Sequence, residues 1–288
     1  MKNLKVNYCA IAVVVASIFI SSCNKEEYVE PVPSAEAGAM ITEQVKTQFK
    51  ELGFDVSDIA VTNYDEVLDP EYENGNYLLE GDIAVKPQDI RGMLGSSLYY
   101  KGPVGEQYHT YNLVFSLPRT IKIIGYTGGS LALDSKMKTA LTWAVANYNS
   151  LNIGMNFTLT FGTNYSAYDI VVYKVSGNGG GQAGFPSGGD PYKYIQIQDG
   201  TSNFDTNVVE HVMTHEIGHC LGLRHTDWFN RSLSCGVGGS EPEDPYGAVH
   251  IPTTPSGYDP NSVMLACFST SETGELGRYD RVALEYLY

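Results

Sequence analysis

The chain has 288 residues, with 18 basic and 33 acidic side chains and a formal net charge of −15. That length accommodates one large domain, or a moderate domain with a smaller one beside it. The basic excess that a nucleic-acid footprint requires is missing, so nucleic acid is excluded as a partner.

In chain order, the first segment reads as a targeting signal. Lys2 and Lys5 precede the apolar run Ala10 to Ile20, which falls short of the about 20 residues that span a bilayer. Ile20-Ser21-Ser22-Cys23 follows and resembles the lipobox of bacterial lipoproteins. The resemblance implies a signal peptide over 1–22, a lipid anchor at Cys23 and an outer-membrane lipoprotein facing the cell surface or the periplasm. Asn24 to Glu27 (NKEE) is similar to the Lys-acid-acid signal for export to the outer face, and reads equally well as a charged tether. Residues 23–34, with Pro31 and Pro33, hold the protein off the membrane.

Residues 35–110 form a smaller N-terminal region. Ala35, Ala39, Val45, Phe49 and Leu52 recur with near-helical spacing and predict a helix over 35–52, stopped at Gly53. Tyr77 to Val85 predicts a strand interrupted at Gly81-Asp82. Pro87 to Leu94 predicts a short helix. From Pro118 the pattern is more regular. RTIKIIGY, MNFTLTFG, YDIVVYKV and YIQIQD predict strands, and Met137, Ala140, Leu141, Ala144, Val145 and Tyr148 predict an amphipathic helix from Asp134 to Asn149. VVEHVMTHEIGHCLG predicts a second helix. After a long irregular stretch, a last helix follows with Leu276, Tyr279, Val282, Ala283, Tyr286 and Leu287 on one face. The order β-α-β-β-β-α, then α, predicts an α/β (α+β) sheet with helices packed on it.

The stretch HEIGHCLGLRH, His215 to His225, carries the chemistry. Residues four apart share a helix face, so His215 and His219 can grip one metal ion. Glu216, rotated about 100° from His215, reaches a water on that metal without being a ligand. Gly222 lets the chain turn out of the helix and brings back His225 as a third ligand. Three imidazoles leave a tetrahedral Zn2+ one open position for water, with Glu216 as general base. His211, one turn before His215, reads as a satisfied polar neighbour. Of five cysteines, Cys9 leaves with the signal and Cys23 carries lipid. Cys220, Cys235 and Cys267 remain in a disulfide-permitting compartment, and Cys235–Cys267 is the expected pair because Cys220 sits on the helix.

The extended pattern His215, Glu216, His219, Gly222, His225 resembles the metzincin zinc peptidases, and HEIGH with Cys220 resembles the bacterial HEIGH metallopeptidases in particular. The resemblance spans about residues 118–288. It implies a mixed twisted sheet, an active-site helix, a methionine turn at Ser262-Val263-Met264 with Met264 beneath the metal, and a C-terminal helix. It also implies a zinc endopeptidase acting on peptide or protein substrates outside the cytoplasm. The substrate would lie antiparallel to an edge strand, here Gly181 to Gly189. Two places depart from the pattern. Ala266 stands where some metzincins carry an extra tyrosine ligand, and Thr226 follows the third histidine. Asp227 reads as a cap for that turn. Glu80 to Ile83 (EGDI) resembles the Gly-Asp segment of astacin propeptides, in which the aspartate occupies the zinc. Asp82 is therefore a candidate latency ligand, and the N-terminal region a candidate propeptide. The alternative from another class is a non-enzymatic surface lipoprotein, an adhesin or binding module with a structural zinc site. Glu216 argues against it, because a binding module gains nothing from a base beside an open metal position.

Overall fold

The computed structural model describes residues 39–72, 75–90, 92–93, 107–241, 247–255 and 257–288. The expected signal peptide over 1–22, Cys23 and the expected tether over 23–34 lie outside the described residues. Residues 35–288 make one compact unit. Among the described residues, no helix is long and apolar enough to cross a membrane.

The first helix, α1 (Glu43–Glu51), begins later than the sequence pattern suggests. Thr42 ends the preceding extended chain and accepts a hydrogen bond from the Val45 N–H at 3.1 Å, satisfying an otherwise orphaned donor. A small antiparallel sheet follows, with β1 (Ala60–Thr62), β2 (Asn76–Leu79) and β3 (Ile83–Val85) in that order. The interruption at Gly81-Asp82 is a hairpin, with Tyr77 opposite Val85 and Leu79 opposite Ile83. Val45, Phe49, Phe54, Tyr77, Leu79 and Ile83 fill a core under this sheet, and Phe185 enters it from the main sheet's edge loop.

The main sheet has the strand order β6-β5-β7-β9-β8. Its strands are β5 (Arg119–Tyr126), β6 (Met155–Gly162), β7 (Ile170–Val175), β8 (Gly181–Gln182) and β9 (Tyr194–Gln198). The first four in spatial order are parallel, and β8 pairs antiparallel at the edge. A parallel sheet has both faces covered, which the alternation in β7 shows. Ile170 and Val172 enter one core, and Val171 and Tyr173 the other. The first core is closed by α2 (Ser135–Asn149), α3 (Thr206–Cys220) and α5 (Arg278–Leu287). Met137, Leu141, Tyr148, Met213, Ile217 and Leu284 are buried there, each side chain contributing about 1.5–3 kcal/mol. The second face is covered from the N-terminal region by Leu68, with Tyr64 and Val67. A two-stranded ribbon of β4 (Tyr108–His109) with β10 (Val249–His250) and a short helix, α4 (Ser232–Cys235), complete the frame.

Candidate metal centre

Helix α3 lies against the sheet through Val209, Val212, Met213 and Ile217 and places His215 and His219 one turn apart. The helix ends in a Schellman turn. Gly222 N–H donates to His219 O at 2.9 Å and Leu223 N–H to Gly218 O at 3.0 Å, with Gly222 at φ +101°. A side chain there would meet Asn112 O at 2.7 Å, so only glycine fits. The chain then reverses. Arg224 N–H donates to Tyr108 O at 2.8 Å and Thr226 N–H to Met264 O at 2.9 Å, which fixes His225 between the ribbon and the Ser262–Met264 turn.

Each imidazole is oriented by its Nδ1. His215 Nδ1 lies 2.8 Å from Val263 O, His219 Nδ1 2.8 Å from Leu223 O and His225 Nδ1 3.3 Å from Glu241 Oε1. Carbonyl and carboxylate oxygens accept only, so each Nδ1 carries a proton and Nε2 is the ring nitrogen left to meet a metal. The three Nε2 atoms converge on the Asp82 carboxylate. Asp82 Oδ2 is 3.1 Å from His215 Nε2 and 3.1 Å from His225 Nε2, and Oδ1 is 3.8 Å from His219 Nε2. All four ligand atoms lie within 4.8 Å of one another. His219 Nε2 and Asp82 Oδ1 are buried and without hydrogen-bond partners. Burial, with His215 beside it, pushes the His219 imidazole down to about 4, so it is neutral. Burial opposes the Asp82 carboxylate, but His225, His215 and His219 hold it well below the usual carboxylate range. Three imidazole nitrogens and a carboxylate oxygen gathered this closely, with His219 Nε2 and Asp82 Oδ1 buried without partners, make a fitting donor set for a zinc-like metal.

Glu216 lies beside this cluster. Its Oε2 is buried with no partner, and burial together with the nearby Asp82 charge pushes its carboxyl well above the usual range. It sits under the sheet edge, where a Cβ on Gly181 would come 2.6 Å from Glu216 Oε1. The glycine at the edge strand is thus the space the carboxylate occupies. Met264 lies under α3, where a Cβ on Gly218 would be 2.5 Å from its Sδ. That packing explains the glycine of HEIGH. The turn bearing Met264 is pinned by Asp280, which accepts from Ser262 Oγ at 2.7 Å and Val263 N–H at 2.8 Å.

Asp82 arrives from the β2–β3 hairpin. Glu80 and Gly81 take the left-handed region at φ +57° and +96°, which for a non-glycine residue costs about 1–2 kcal/mol. Arg224, fully buried next to His225, compensates. Its Nη2 donates to Glu80 Oε1 at 3.1 Å, Glu241 Oε2 at 2.7 Å and Gly53 O at 2.8 Å, and its guanidinium carbon stands 4.9 Å from the centroid of the Phe54 ring. Burial and the adjacent Glu241 push the Glu80 carboxyl up. Arg224 and His225 hold Glu241 down at about 2, against the effect of burial. The hairpin also pairs with the main sheet. Ala183 N–H donates to Asp82 O at 3.1 Å and Ala84 N–H to Ala183 O at 2.7 Å, with Ile83 parallel to Ala183.

The remaining sequence candidates fall as follows. The regular part of the expected edge over 181–189 is only Gly181–Gln182. His211 stays out of the cluster, with Nδ1 3.6 Å from Glu272 Oε2. Asp227 accepts from Ala266 N–H at 3.0 Å and from Ser234 Oγ at 2.5 Å, so it ties the Met264 turn to α4. Cys235 and Cys267 form a disulfide, and Cys220 is buried and free. Glu241, Arg224 and Asp280 were not singled out by sequence, and Glu80 entered only as the first residue of the EGDI segment, with no partner named for it. Their partners are far along the chain, and no spacing announces them.

A family model described as "Dual-action HEIGH metallo-peptidase" matches residues 77–288. The chain belongs to this family. It is a metallopeptidase, and the matched span contains the histidine cluster, the hairpin bearing Asp82 and the Met264 turn. Two solved structures of myroilysin align with this HEIGH metallopeptidase at 13% identity and a TM-score of 0.38, covering 59% of this chain and 79% and 82% of theirs. No match was found among curated proteins.

Proposed function

We propose that this HEIGH metallopeptidase is a zinc-dependent endopeptidase of the metzincin type, exported as a lipoprotein through Cys23 and held latent by its own N-terminal region. The observation that carries the reading is the convergence of three imidazole Nε2 atoms on Asp82, beside a carboxylate, Glu216, that has a free buried oxygen. His215, His219 and His225 would hold the ion, and Val263 O, Leu223 O and Glu241 would fix their tautomers. When bound, zinc supplies a Lewis acid that polarises the scissile carbonyl and acidifies a water. Glu216 takes the proton from that water at Oε2 and returns it to the leaving amine nitrogen. The edge at β8 offers backbone groups to an added substrate strand. Met264 packs against Gly218 beneath the centre and keeps the ligand helix in place.

The hairpin accounts for latency in two ways. Asp82 supplies the oxygen that fills the position a water needs. Ile83 runs parallel to Ala183, opposite to the direction of an antiparallel substrate, so its peptide bonds are presented reversed and survive. Export is supported by Lys2, Lys5, the Ala10 to Ile20 run and the Ser-Ser-Cys that follows. Loss of lipid labelling in Cys23→Ala checks the anchor.

The test is digestion of a diverse peptide pool by the full chain, with and without chelator, and by Glu216→Ala and Asp82→Ala. Asp82→Ala should cut on the order of tenfold faster or more, since the competing ligand is gone. Chelator and Glu216→Ala should abolish cutting. Equal cutting by Glu216→Ala and the parent chain removes Glu216 from the mechanism.

A further inference from the structure

We infer that Arg231 selects substrates carrying a carboxylate, and that Asp55 and Asp58 of the N-terminal region occupy its guanidinium as stand-ins for that group. This rests on the peptidase reading above. A cavity of about 510 Å³ runs from His215 and Glu216 to Arg231, with Leu265 and Phe268 on its wall. Arg231 is only 3% exposed. Its Nη2 lies 2.6 Å from Asp55 Oδ2 and its Nη1 3.1 Å from Asp58 Oδ2. Among the described residues these are its only ion pairs, and both come from the region that must withdraw before a substrate strand can enter.

Arg224 makes the contrast. When the hairpin leaves and takes Glu80 with it, Arg224 keeps Glu241 at 2.7 Å. Arg231 keeps no carboxylate and becomes an unpaired cation at the wall of the cleft, a costly state that an incoming anion relieves. The second observation is a space shaped for that anion. A Cβ on Gly239 would overlap Asp55 Oδ2, and one on Gly238 would come 3.1 Å from Arg231 Cβ. Gly239 thus leaves room for a carboxylate against the guanidinium, and Gly238 leaves room for the base of the Arg231 side chain. The Cys235–Cys267 disulfide ties α4, which directly follows Arg231, to the segment leaving the Met264 turn, so the receptor is held in place on the cleft side. In a chain of net charge −15, this is a local positive field aimed at an acidic segment of peptide.

Two arms test it. In the first, zinc-loaded full chain carrying Asp55→Ala, Asp58→Ala, Glu216→Ala and also Asp82→Ala, which frees the hairpin from the centre, is titrated by fluorescence anisotropy with labelled peptides that differ only in one Glu or Gln. A further pair differs only in a free or amidated C-terminus, which separates a side-chain carboxylate from a terminal one. One carboxylate peptide should bind on the order of tenfold tighter than its neutral twin, and the gap should close in Arg231→Gln and stay partly open in Arg231→Lys. In the second, the ratio of kcat/KM on acidic and neutral peptides is measured in the Asp82→Ala full chain, with an acidic residue expected at one fixed distance from the cut bond. Equal affinities, or no binding of any peptide, overturn the assignment. Cutting without acidic preference overturns it and leaves the peptidase reading intact. No cutting, with the binding preference preserved, overturns the peptidase reading and leaves Arg231 as a carboxylate receptor.

Discussion

Glu241 is the residue through which the fold and the metal centre are most tightly joined, and its removal has a calculable outcome. Glu241→Ala takes an acceptor from Arg224 at Nε (3.2 Å) and Nη2 (2.7 Å), and from His225 Nδ1 (3.3 Å). Breaking a buried ion pair from one side costs about 3–5 kcal/mol, because the remaining charge is left uncompensated. Arg224 retains Glu80 at 3.1 Å, which places the cost near the lower end, about 3 kcal/mol. For a chain of this size that lowers the melting temperature by about 6–12 °C. His225 loses the partner that fixes its tautomer, so metal affinity should drop about 10–100-fold. Glu241→Gln separates the two effects. Its amide oxygen still accepts from His225, but a neutral amide no longer balances Arg224. Affinity should largely return while the melting temperature stays low. Calorimetry of the metal-free chain and competition against a chromophoric chelator measure the two quantities. If Glu241→Ala binds metal as tightly as the parent chain, the orienting role given to Glu241 is wrong.

Three other substitutions probe the packing around the centre. Gly181→Ala puts a methyl 2.6 Å from Glu216 Oε1; displacement of this proposed base should lower kcat by about 10²-fold, with metal content unchanged in parallel analysis. Gly218→Ala drives a methyl to 2.5 Å from Met264 Sδ, an overpacking expected to cost about 1–3 kcal/mol in urea unfolding. Replacing both Cys235 and Cys267 by serine opens a loop closed across a separation of 32 residues, and the chain-entropy estimate gives a loss of about 3–4 kcal/mol in the same assay.

What the sequence made legible was local or periodic. Helix α3, the Schellman turn at Gly222 and the return to His225 follow from eleven consecutive residues, His215 to His225, because ligand spacing and turn chemistry both act within a few residues. Strands β5, β6, β7 and β9 and helix α2 were visible through apolar patterning. The start of α1 was not, because Ala35 and Ala39 continue an apolar rhythm that Thr42 ends by capping. The edge strand was overextended, since a glycine-rich run has no pattern to mark where pairing stops. The partners that orient the site, Glu241 for His225 and Asp280 for the Met264 turn, are set by tertiary packing. So is the pairing of Arg224 with Glu80, 144 residues apart. A carboxylate in an acidic chain carries no mark of which cation it will meet.

The central claim is that His215, His219 and His225 hold a single metal ion through Nε2. X-ray absorption at the zinc edge of the purified full chain, with elemental analysis on the same sample, tests it most directly. The expected result is one zinc per chain with a shell of three imidazole nitrogens completed by oxygen. Substoichiometric metal in unchelated protein, or a sulfur shell from Cys220, would contradict it.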